Sequence, residues 1–407
     1  MALHSLYIDF NSYFASVEQQ LRPELRGKPI GVVPVMAETT CCIAVSYEAK
    51  KFGVKTGTRV SDARKLCRSI RFIEARPAVY VEYHHKLVEA VESSVHVDRV
   101  LSIDEMVCEL TGSMQQYERA IALARQIKKT IAKTVGTELR CSIGIAPNPF
   151  LAKTASEMQK PDGCVVIDTA DLPHCLFSLD LLDLCGVGKA MEKRLRQHGI
   201  NTVEDLCRAT KIKLRKAWGG IEGERMYERL RGELVYTPPT KRSTLGHSHV
   251  LPPEMRTDEA AYSVLHKMLQ KAAMRLRSYG FVAGAMSIQL KYLDGREWGN
   301  QIGFDATSDT LEFLHMLASL WAKRPGRQAV PLRVSVTLFK LSNERDRTLS
   351  LFGDSKSRDR LNAAIDKLNL RYEKNTVYFG GAQLGLKSAP MRIAFNHIPD
   401  LRIESDE

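Results

Sequence analysis

The first 166 residues alternate between short apolar runs and longer amphipathic stretches. Short apolar runs predict strands, and apolar residues that recur every three or four positions predict helices. The predicted strands are 3–9, 30–35, 41–47, 95–103, 106–110 and 141–146. The predicted helices are 11–20, 79–94 and 115–135, with a further helix opened by Asn148 and Pro149, which are typical of a capped first turn. This mixture of strands and helices indicates an α+β fold.

The pattern changes after residue 167. Short helices rich in basic residues follow, and residues 186–242 hold 14 Lys or Arg and 7 Asp or Glu, a local net charge of +7. The segment VYTPPTKRST at 235–244 predicts a linker because of its prolines and polar residues. Beyond it the pattern predicts a compact α+β module, and one more helix at 358–372. The module's expected strands are 246–251, 285–293, 301–305 and 332–338, and its helices are 258–279 and 309–323.

Composition bounds the number of domains and the kind of partner. A chain of 407 residues is too long for a single core, so we expect three or four domains. The net charge of +12 favours a polyanionic partner, although charge alone does not separate nucleic acid from a membrane surface. Nine cysteines without a C-x-x-C pair, no secretory leader and no long apolar run together predict a reduced, cytoplasmic protein that does not enter a membrane.

Three carboxylates stand where apolar strands end. Asp9 follows LYI, and Asp104 and Glu105 lie within LSIDEM at the tip of the predicted hairpin. Phosphoryl transfer from a nucleoside triphosphate uses two divalent cations about 3.5–4 Å apart, and such cations prefer carboxylate oxygens. Acidic pairs at hairpin tips are more often solvated turn residues, so the three residues are candidates for a two-metal site only in combination with other motifs.

Four motifs, two of which contain these carboxylates, occur in one order along the chain: YIDFNSYFASVEQ, SYEAKKFGVKTG, SIDEMVCEL and NPFLAKTASEMQKPDG. With them the chain resembles the Y-family DNA polymerases, of the type of bacterial polymerase IV and the polymerase V catalytic subunit. The resemblance runs from the first strand to about residue 350. It implies a right-hand polymerase with a ferredoxin-like palm, small fingers, a helix-hairpin-helix thumb and an α+β little finger. The implied domains are palm 1–18 and 77–166, fingers 19–76, thumb 167–235, linker 236–243, little finger 244–347, and a clamp-binding peptide with a C-terminal tail at 348–407.

The resemblance also assigns roles to residues. Two Mg²⁺ ions, for which Mn²⁺ is a possible substitute, are expected on the catalytic carboxylates Asp9, Asp104 and Glu105 and on the backbone carbonyl of Phe10. The expected contacts to the incoming nucleotide are Tyr13, the steric gate Phe14, Tyr47, Lys50 and Lys160. Positions over the nascent base pair are Cys41, Ile43 and Gly57. Ordinary helix packing is the alternative for Tyr13 and Phe14, and a strand core with a turn glycine is the alternative for the last three.

Two departures from the family pattern stand close to these motifs. Lys50 replaces the usual Arg and so offers the triphosphate a point charge where the family has a bidentate fork. Asn11 stands where many members have a second Asp. Both residues recur in the polymerase V branch, so we expect catalysis to be intact.

Two segments suggest how DNA and a partner protein bind. The sequence LCGVGKAMEKRLRQHGI is typical of a helix-hairpin-helix, in which Gly186 and Gly188 permit a tight turn against a phosphate and Lys189 and Lys193 follow on the first helix. TLSLFGD at 348–354 resembles the peptide that bacterial polymerases insert into the sliding clamp, with Leu349, Leu351 and Phe352 as apolar anchors. An ordinary strand or helix start is the alternative for this peptide.

The predicted function is low-fidelity, template-directed DNA synthesis past damaged bases, with primer-template DNA and dNTPs as substrates. A sliding clamp and accessory mutagenesis subunits are the expected partners, in the cytoplasm and nucleoid of a bacterium during the SOS response. A non-catalytic, clamp-bound scaffold is one alternative, and the intact carboxylates argue against it. A nucleotide cyclase with a similar palm is another, but it leaves the thumb-like hairpin and the basic segment unexplained.

Overall fold

A computed structural model describes residues 3–236, 238, 241–326, 329–347, 355–372, 375–393 and 398–404. The chain divides into two compact units, one formed by 1–237 with 393–398 and the other by 238–392 with 399–407. The nine cysteines are all free thiols. Within the described ranges, no helix combines the length and the apolar character that crossing a bilayer requires.

The first unit is built on two sheets and ten helices within its described part. Its strands are β1 Ser5–Phe10, β2 Ile30–Val33, β3 Ala44–Val45, β4 Arg71–Glu74, β5 Arg99–Val100, β6 Glu105–Glu109, β7 Cys141–Ala146 and β8 Cys164–Val166. Its helices are α1 Tyr13–Leu21, α2 Tyr47–Lys50, α3 Val60–Leu66, α4 Pro77–Glu92, α5 Tyr117–Thr134, α6 Pro149–Met158, α7 Lys189–Gln197, α8 Val203–Arg208, α9 Lys211–Trp218 and α10 Ile221–Arg229.

The larger sheet has the order β5-β6-β1-β7-β8. Its central strand β1 is buried at every position, as its run of apolar residues predicts. Helix α6 packs on β1 and β7. A Cβ built on Gly144 of β7 would lie 1.9 Å from the carbonyl oxygen of Ala152, so only glycine permits this close approach of α6. Asn148 caps α6 by accepting a 2.8 Å hydrogen bond from the backbone N–H of Leu151, which confirms the predicted helix start.

The smaller sheet has the order β3-β2-β4 and covers its own apolar cluster, which includes Val33, Val45 and Val54. The sequence pattern was wrong to extend a strand over 41–47. Ser46 accepts a hydrogen bond from the N–H of Ala49 and starts α2, so only Ala44–Val45 forms a strand, with an isolated bridge between Cys41 and Arg59. Strand β4, helix α3 and strand β8 were not predicted, because each is too short to show a clear apolar period.

The second unit is a four-stranded antiparallel sheet of order β11-β10-β12-β9. Its elements are β9 Thr244–Val250, α11 Asp258–Ser278, β10 Phe281–Tyr292, β11 Glu297–Thr307, α12 Thr310–Ala322, β12 Pro331–Asn343, α13 Ser355–Tyr372 and α14 Leu401–Glu404. Helix α11 packs on β9, β10 and β12 over a core that includes Leu265, Leu269 and Phe313. Strands β11 and β12 extend beyond their predicted bounds through segments that include exposed polar residues such as Glu297 and Lys340, which a search for apolar runs omits. Strand β10 begins four residues earlier than predicted, at Phe281.

The described part of the C-terminal region packs on α11. Lys267, buried in α11, donates hydrogen bonds to the carbonyls of Leu386 at 2.7 Å and Ser388 at 2.8 Å. The Ser263 hydroxyl accepts a 3.0 Å hydrogen bond from the N–H of Gly385. Helix α13, which contains the predicted helix 358–372, is held by Asp366, whose carboxylate receives hydrogen bonds of 2.7 and 2.8 Å from Arg277. This segment therefore completes the core of the second unit.

Candidate active site

The pairing of β1 with β6 brings two of the three candidate carboxylates together. Asp9 lies opposite Glu105 in the antiparallel register. Asp104, just before β6, is fixed at the same level because its carbonyl accepts a 2.9 Å hydrogen bond from the N–H of Phe10. The Ser102 hydroxyl lies 2.6 Å from a carboxylate oxygen of Asp104 and 3.2 Å from one of Glu105. The carboxylates that the sequence predicts to act together are therefore neighbours at the end of two central strands.

Asp9 is buried, Asp104 and Glu105 are half-buried, and lysines partly balance the charge of Asp9 and Glu105. Burial raises the pKa of Asp9 to about 7, although the Lys160 ammonium, 2.8 Å from the Asp9 carboxylate, acts to lower it. Burial also raises the pKa of Asp104, while the hydrogen bond from Ser102 opposes that rise. The carboxylate of Glu105 pairs with the ammonium of Lys153 at 2.6 Å. Removing carboxylates from water in this way costs free energy unless a positive charge compensates.

The donor set fits a hard divalent cation. Among the described side chains, no three or more His, Cys, Asp or Glu residues are already gathered as for a metal ion, and two of the expected ligands pair with lysines. Buried carboxylate oxygens of raised pKa, beside the last residue of a strand, are nevertheless the ligands that such cations prefer. A cation entering here would replace the lysine ammonium groups as counter-charge.

Three residues expected at the triphosphate lie around Asp9. The Lys160 ammonium bridges the Asp9 carboxylate and the Glu157 carboxylate, at 2.8 Å from each. The ammonium of Lys50 lies 4.2 Å from the centre of the Tyr47 ring. Partial desolvation lowers the pKa of Lys50, and the Lys160 ammonium lowers it further, which shows that the two cations are close enough to repel one another. Two neighbouring ammonium groups that repel each other are suited to a polyanion.

The side chains of Phe14 and Tyr13 differ in exposure and in the contacts that they make with Tyr80. Phe14 is half-buried on α1, and its ring stacks on that of Tyr80 with the centroids 4.4 Å apart and the planes at 15°. The ring of Tyr13 is buried, and its hydroxyl donates a 2.6 Å hydrogen bond to the carbonyl of Tyr80. A contact of Tyr13 with a nucleotide would therefore come from its backbone at the start of α1.

Cys41, Ile43 and Gly57 lie together beside the smaller sheet. Cys41 and Ile43 flank the buried Cys42, so their side chains share the opposite, more exposed face. Gly57 donates a 2.8 Å hydrogen bond from its N–H to the carbonyl of Cys42 and has a φ of +89°, in the region that favours glycine. Apart from its two chain neighbours, none of the residues that the structure describes has an atom within 4 Å of the point where a Gly57 side chain would begin, so the surface here is open.

The glycine turn of the predicted helix-hairpin-helix and the helix that follows it, α7, are both present. Gly186 has a φ of +83°, and Gly188 is the N-terminal cap of α7. Lys189 and Lys193 are both exposed on α7, one turn apart. A Cβ added at Gly186 or Gly188 would meet none of the described residues beyond the chain neighbours within 4 Å, so this turn at the start of α7 leaves room for a phosphate to approach.

Comparisons with known proteins agree with this architecture. The profile of the impB/mucB/samB family matches residues 8–157, that of the family's C-terminal domain matches 242–351, and that of the DNA polymerase-iota thumb domain matches 182–233. DNA polymerase IV of Moorella thermoacetica is 33% identical over 385 residues, which cover 92% of this chain and 94% of that protein. The chain belongs to the Y family of DNA polymerases. It is a DNA-directed DNA polymerase of the class that performs translesion synthesis, and the scaffold alternative is not favoured.

Further relatives extend the likeness to Y-family polymerases. DNA polymerase IV of Staphylococcus aureus strain JH9 is 28% identical over 350 residues, covering 85% of this chain and 98% of that protein. A chimera of the Y-family polymerases Dbh and Dpo4 has the same fold with a TM-score of 0.70 at 23% identity, covering 83% of this chain and 98% of the chimera. An insertion ternary complex of Dbh DNA polymerase aligns over the same shares with a TM-score of 0.55 at 24% identity. These likenesses confirm the predicted α+β right-hand fold.

Sequence reasoning did not identify Ser102 or Lys153 as part of this Y-family site, and it noted Asn11 without finding its structural role. Ser102 bridges Asp104 and Glu105, Lys153 pairs with Glu105, and Asn11 is buried behind Asp9. The amide of Asn11 donates to the Ser142 hydroxyl at 3.0 Å, and its carbonyl accepts from the N–H of Asp162 at 2.7 Å. Asn11 thus anchors the loop that carries Lys160. A signal for Ser102 was its position two residues before Asp104, but the partner of Asn11 lies 151 residues away and no local pattern points to it.

The predicted clamp-binding anchors Leu349, Leu351 and Phe352 lie outside the described residues. Their role in this Y-family member stays a prediction.

Proposed function

We propose that Asp9, Asp104 and Glu105, with the backbone carbonyl of Phe10, hold two Mg²⁺ ions and form the catalytic centre, with Mn²⁺ as a possible substitute. The observation that carries this proposal is the register of Asp9 opposite Glu105, with Asp104 hydrogen-bonded to the end of the same strand. Bound there, the ions would neutralise charge on the reacting phosphate and favour ionisation of the primer hydroxyl.

The reaction is nucleotidyl transfer from a dNTP to a primer 3′-hydroxyl, directed by a template strand. The 3′-hydroxyl gives up its proton to water and its oxygen forms a bond to the α-phosphorus, while the bond from that phosphorus to the bridging oxygen breaks and the electron pair leaves with pyrophosphate. The protein's own groups bind and align the two substrates. Lys160, Lys50 and Tyr47 would receive the triphosphate, and Lys160 would exchange its contact with Asp9 for phosphate oxygens.

Selection of the nucleotide is assigned to two surfaces. Phe14 would be the steric gate, a ring against the sugar that leaves no room for a 2′-hydroxyl, with the backbone of Tyr13 beside it. Cys41, Ile43 and Gly57 would lie over the nascent base pair. Because the surface around Gly57 is open, a base pair of abnormal shape would meet little resistance there, which suits synthesis past damaged bases.

DNA would be held through its backbone. The hairpin at Gly186 and Gly188, followed by Lys189 and Lys193, would bind phosphates without regard to sequence. In the second unit, the sheet face that does not carry α11 is open and polar, with Arg333 exposed and Ser335 and Thr337 half-exposed along β12, and it would follow the duplex. We assign the palm to 1–18 and 77–166, the fingers to 19–76, the thumb to 167–235, the linker to 236–243 and the little finger to 244–347.

The peptide at 348–354 would bind a sliding clamp through Leu349, Leu351 and Phe352, and accessory mutagenesis subunits would join the complex. The bacterial relatives support a place in the cytoplasm at the nucleoid.

Primer extension with Mg²⁺ and the four dNTPs tests the catalytic assignment. We expect wild-type protein to extend an undamaged primer-template, and Asp104→Ala to bind the same DNA but extend it at least about a thousandfold more slowly, because a metal ligand is lost. Asp98→Ala, which removes an exposed carboxylate on the same segment, is the matched control and should extend normally. Equal extension by Asp104→Ala and wild type would reject the assignment, and DNA binding without extension by the wild type would favour the scaffold.

A further inference from the structure

The ring of Phe14 rests on a second aromatic ring in the interior of the protein. Tyr80, on α4, is completely buried, and its ring is stacked almost parallel on that of Phe14, with 4.4 Å between the centroids. Offset or parallel stacking at this separation is an attractive contact, and a buried ring cannot turn aside without displacing its neighbours. One face of Phe14 is therefore covered by Tyr80.

A buried carboxylate fixes the position of Tyr80. The hydroxyl of Tyr80 donates a 2.9 Å hydrogen bond to Glu18, which has no exposed side-chain surface. Arg76 approaches the same carboxylate with two hydrogen bonds, of 3.0 and 2.7 Å. Burial raises the pKa of Tyr80, so its hydroxyl remains protonated and continues to donate. Arg22, at the end of α1, lies 3.8 Å from the same carboxylate, but the hydrogen bonds from Arg76 and Tyr80 come from the start of α4, so the carboxylate ties that end of the helix to α1.

A further hydrogen bond joins α1 to α4. Tyr13 precedes Phe14 on α1, and its buried hydroxyl donates to the backbone carbonyl of Tyr80 at 2.6 Å. Tyr80 is thus held by its hydroxyl, by its carbonyl and by its ring, and all three contacts are made to α1. The ring of Phe14 can move toward the protein interior only if this set of contacts breaks.

From this geometry we propose that Tyr80 is a specificity-determining positioning residue, which supports the Phe14 ring against displacement by a ribose 2′-hydroxyl and is itself held in place by Glu18. This inference rests on the proposed role of Phe14 as the steric gate. A gate excludes the larger sugar only if the ring cannot retreat, and Tyr80 fills the space into which it would retreat. Phe14 meets the sugar, and Tyr80 acts through Phe14.

Single-nucleotide incorporation with dNTP and with the matching rNTP measures this role as the ratio of the two kcat/KM values. In Tyr80→Leu we expect rNTP use relative to dNTP use to rise about tenfold, since the stacked wall is lost, while kcat/KM for dNTP changes by less than about threefold. Tyr80→Phe keeps the stacked ring but loses the hydrogen bond to Glu18, so the ratio should rise by about threefold, well short of the rise in Tyr80→Leu. Leu87→Ala, which opens a cavity at a buried position of the same helix, is the control for general loosening and should leave the ratio unchanged.

Two further variants separate the possible failures. Phe14→Ala should raise rNTP use more than any change at Tyr80, and an unchanged ratio in Phe14→Ala would refute the gate itself. Glu18→Gln keeps the size of the side chain and should raise the ratio by about threefold, because the tie to Tyr80 weakens; it also serves if Tyr80→Leu does not fold. If Phe14→Ala changes the ratio while every folded variant of Tyr80 and Glu18 matches Leu87→Ala, the role of Tyr80 is overturned.

Discussion

At the scale of single residues, the site depends on buried charge. Asp9 and Glu105 come from central strands, where side chains have little access to water, and each is neutralised by a lysine of a different segment: Lys160 for Asp9 and Lys153 for Glu105. The protein therefore carries internal counter-ions at the positions where divalent cations are expected. Acidic pairs at hairpin tips are more often exposed to water, and in that setting they need no lysine to balance their charge.

A buried titratable side chain, that of His249, lies in β9 of the second unit. His249 is buried, and its Nε2 accepts a 3.3 Å hydrogen bond from the N–H of Ala389, so the ring is neutral. Burial, together with the smaller effect of the positive charges of Arg392 and Lys267, lowers the pKa of His249 from its ordinary 6.5 to about 4. The unfolded chain therefore binds this proton more readily than the folded chain. The contribution of the neutral His249 to the free energy of unfolding is therefore fully present above pH 6.5, and it is lost as the pH falls from 6.5 toward 4.

We expect the free energy of unfolding of the second unit to fall by about 2–3 kcal/mol over this pH range on account of His249. Denaturant unfolding of the full chain, followed by the fluorescence of Trp298 and Trp321, measures it. His249→Gln, which retains an acceptor for Ala389, should remove that part of the pH dependence, and the exposed control His315→Gln should retain it. Equal pH profiles for His249→Gln and wild type would contradict the assignment.

At the scale of elements, the clearest addition to the expected fold is the packing of α13 on α11. Arg277 on α11 binds both carboxylate oxygens of Asp366 and also donates to the carbonyl of Ser308 and the hydroxyl of Thr310. Asn362, buried on α13, donates a 2.8 Å hydrogen bond to the Asp309 carboxylate that caps α12. Helix α13 is therefore bound to the ends of two helices through polar groups.

Arg277→Met should lower the free energy of unfolding by about 2 kcal/mol, because it leaves the half-buried Asp366 without its bidentate partner. Hydrogen exchange of the α13 amides should accelerate as the helix loosens. Lys367→Met, which changes the neighbouring exposed residue, is the control and should alter neither quantity by much. Unchanged exchange in Arg277→Met would show that other contacts hold α13.

The elements also show how far the sequence could be read. Long periodic segments such as α5 and α11 and the apolar run of β7 were predicted close to their true bounds, since their own burial determines them. The two-residue strand β3 and the one-turn helix α2 were not, because a single Ser46 hydroxyl decides where one ends and the other begins. Sequence motifs brought the three carboxylates together, whereas Lys153, Asn11 and Tyr80 depend on contacts between distant segments.

At the scale of the whole molecule, positive charge is concentrated where the DNA backbone is expected. The chain has a net charge of +12, and α7 presents Lys189 and Lys193 beside the hairpin glycines. Binding of lysines to phosphates releases counter-ions, so affinity for DNA should fall steeply with salt and depend little on sequence.

The double variant Lys189→Gln with Lys193→Gln should weaken binding to a primer-template and reduce the slope of log Kd against log salt by about two, one for each lost phosphate contact. Fluorescence anisotropy at several salt concentrations gives the slope. Lys86→Gln, an exposed lysine that pairs with Glu82 on α4, is the control and should keep the wild-type slope. A slope unchanged in the double variant would place the phosphate contacts elsewhere.

The packing of residues 375–392 on α11 affects how the second unit folds during translation. The carbonyls of Leu386 and Ser388 satisfy the buried ammonium of Lys267, which is translated more than a hundred residues earlier. Until residues 375–392 leave the exit tunnel, the core of the second unit lacks the segment that packs on α11, and the Lys267 ammonium lacks these two acceptors. The second unit of a nascent chain should therefore close only after this segment has been synthesised.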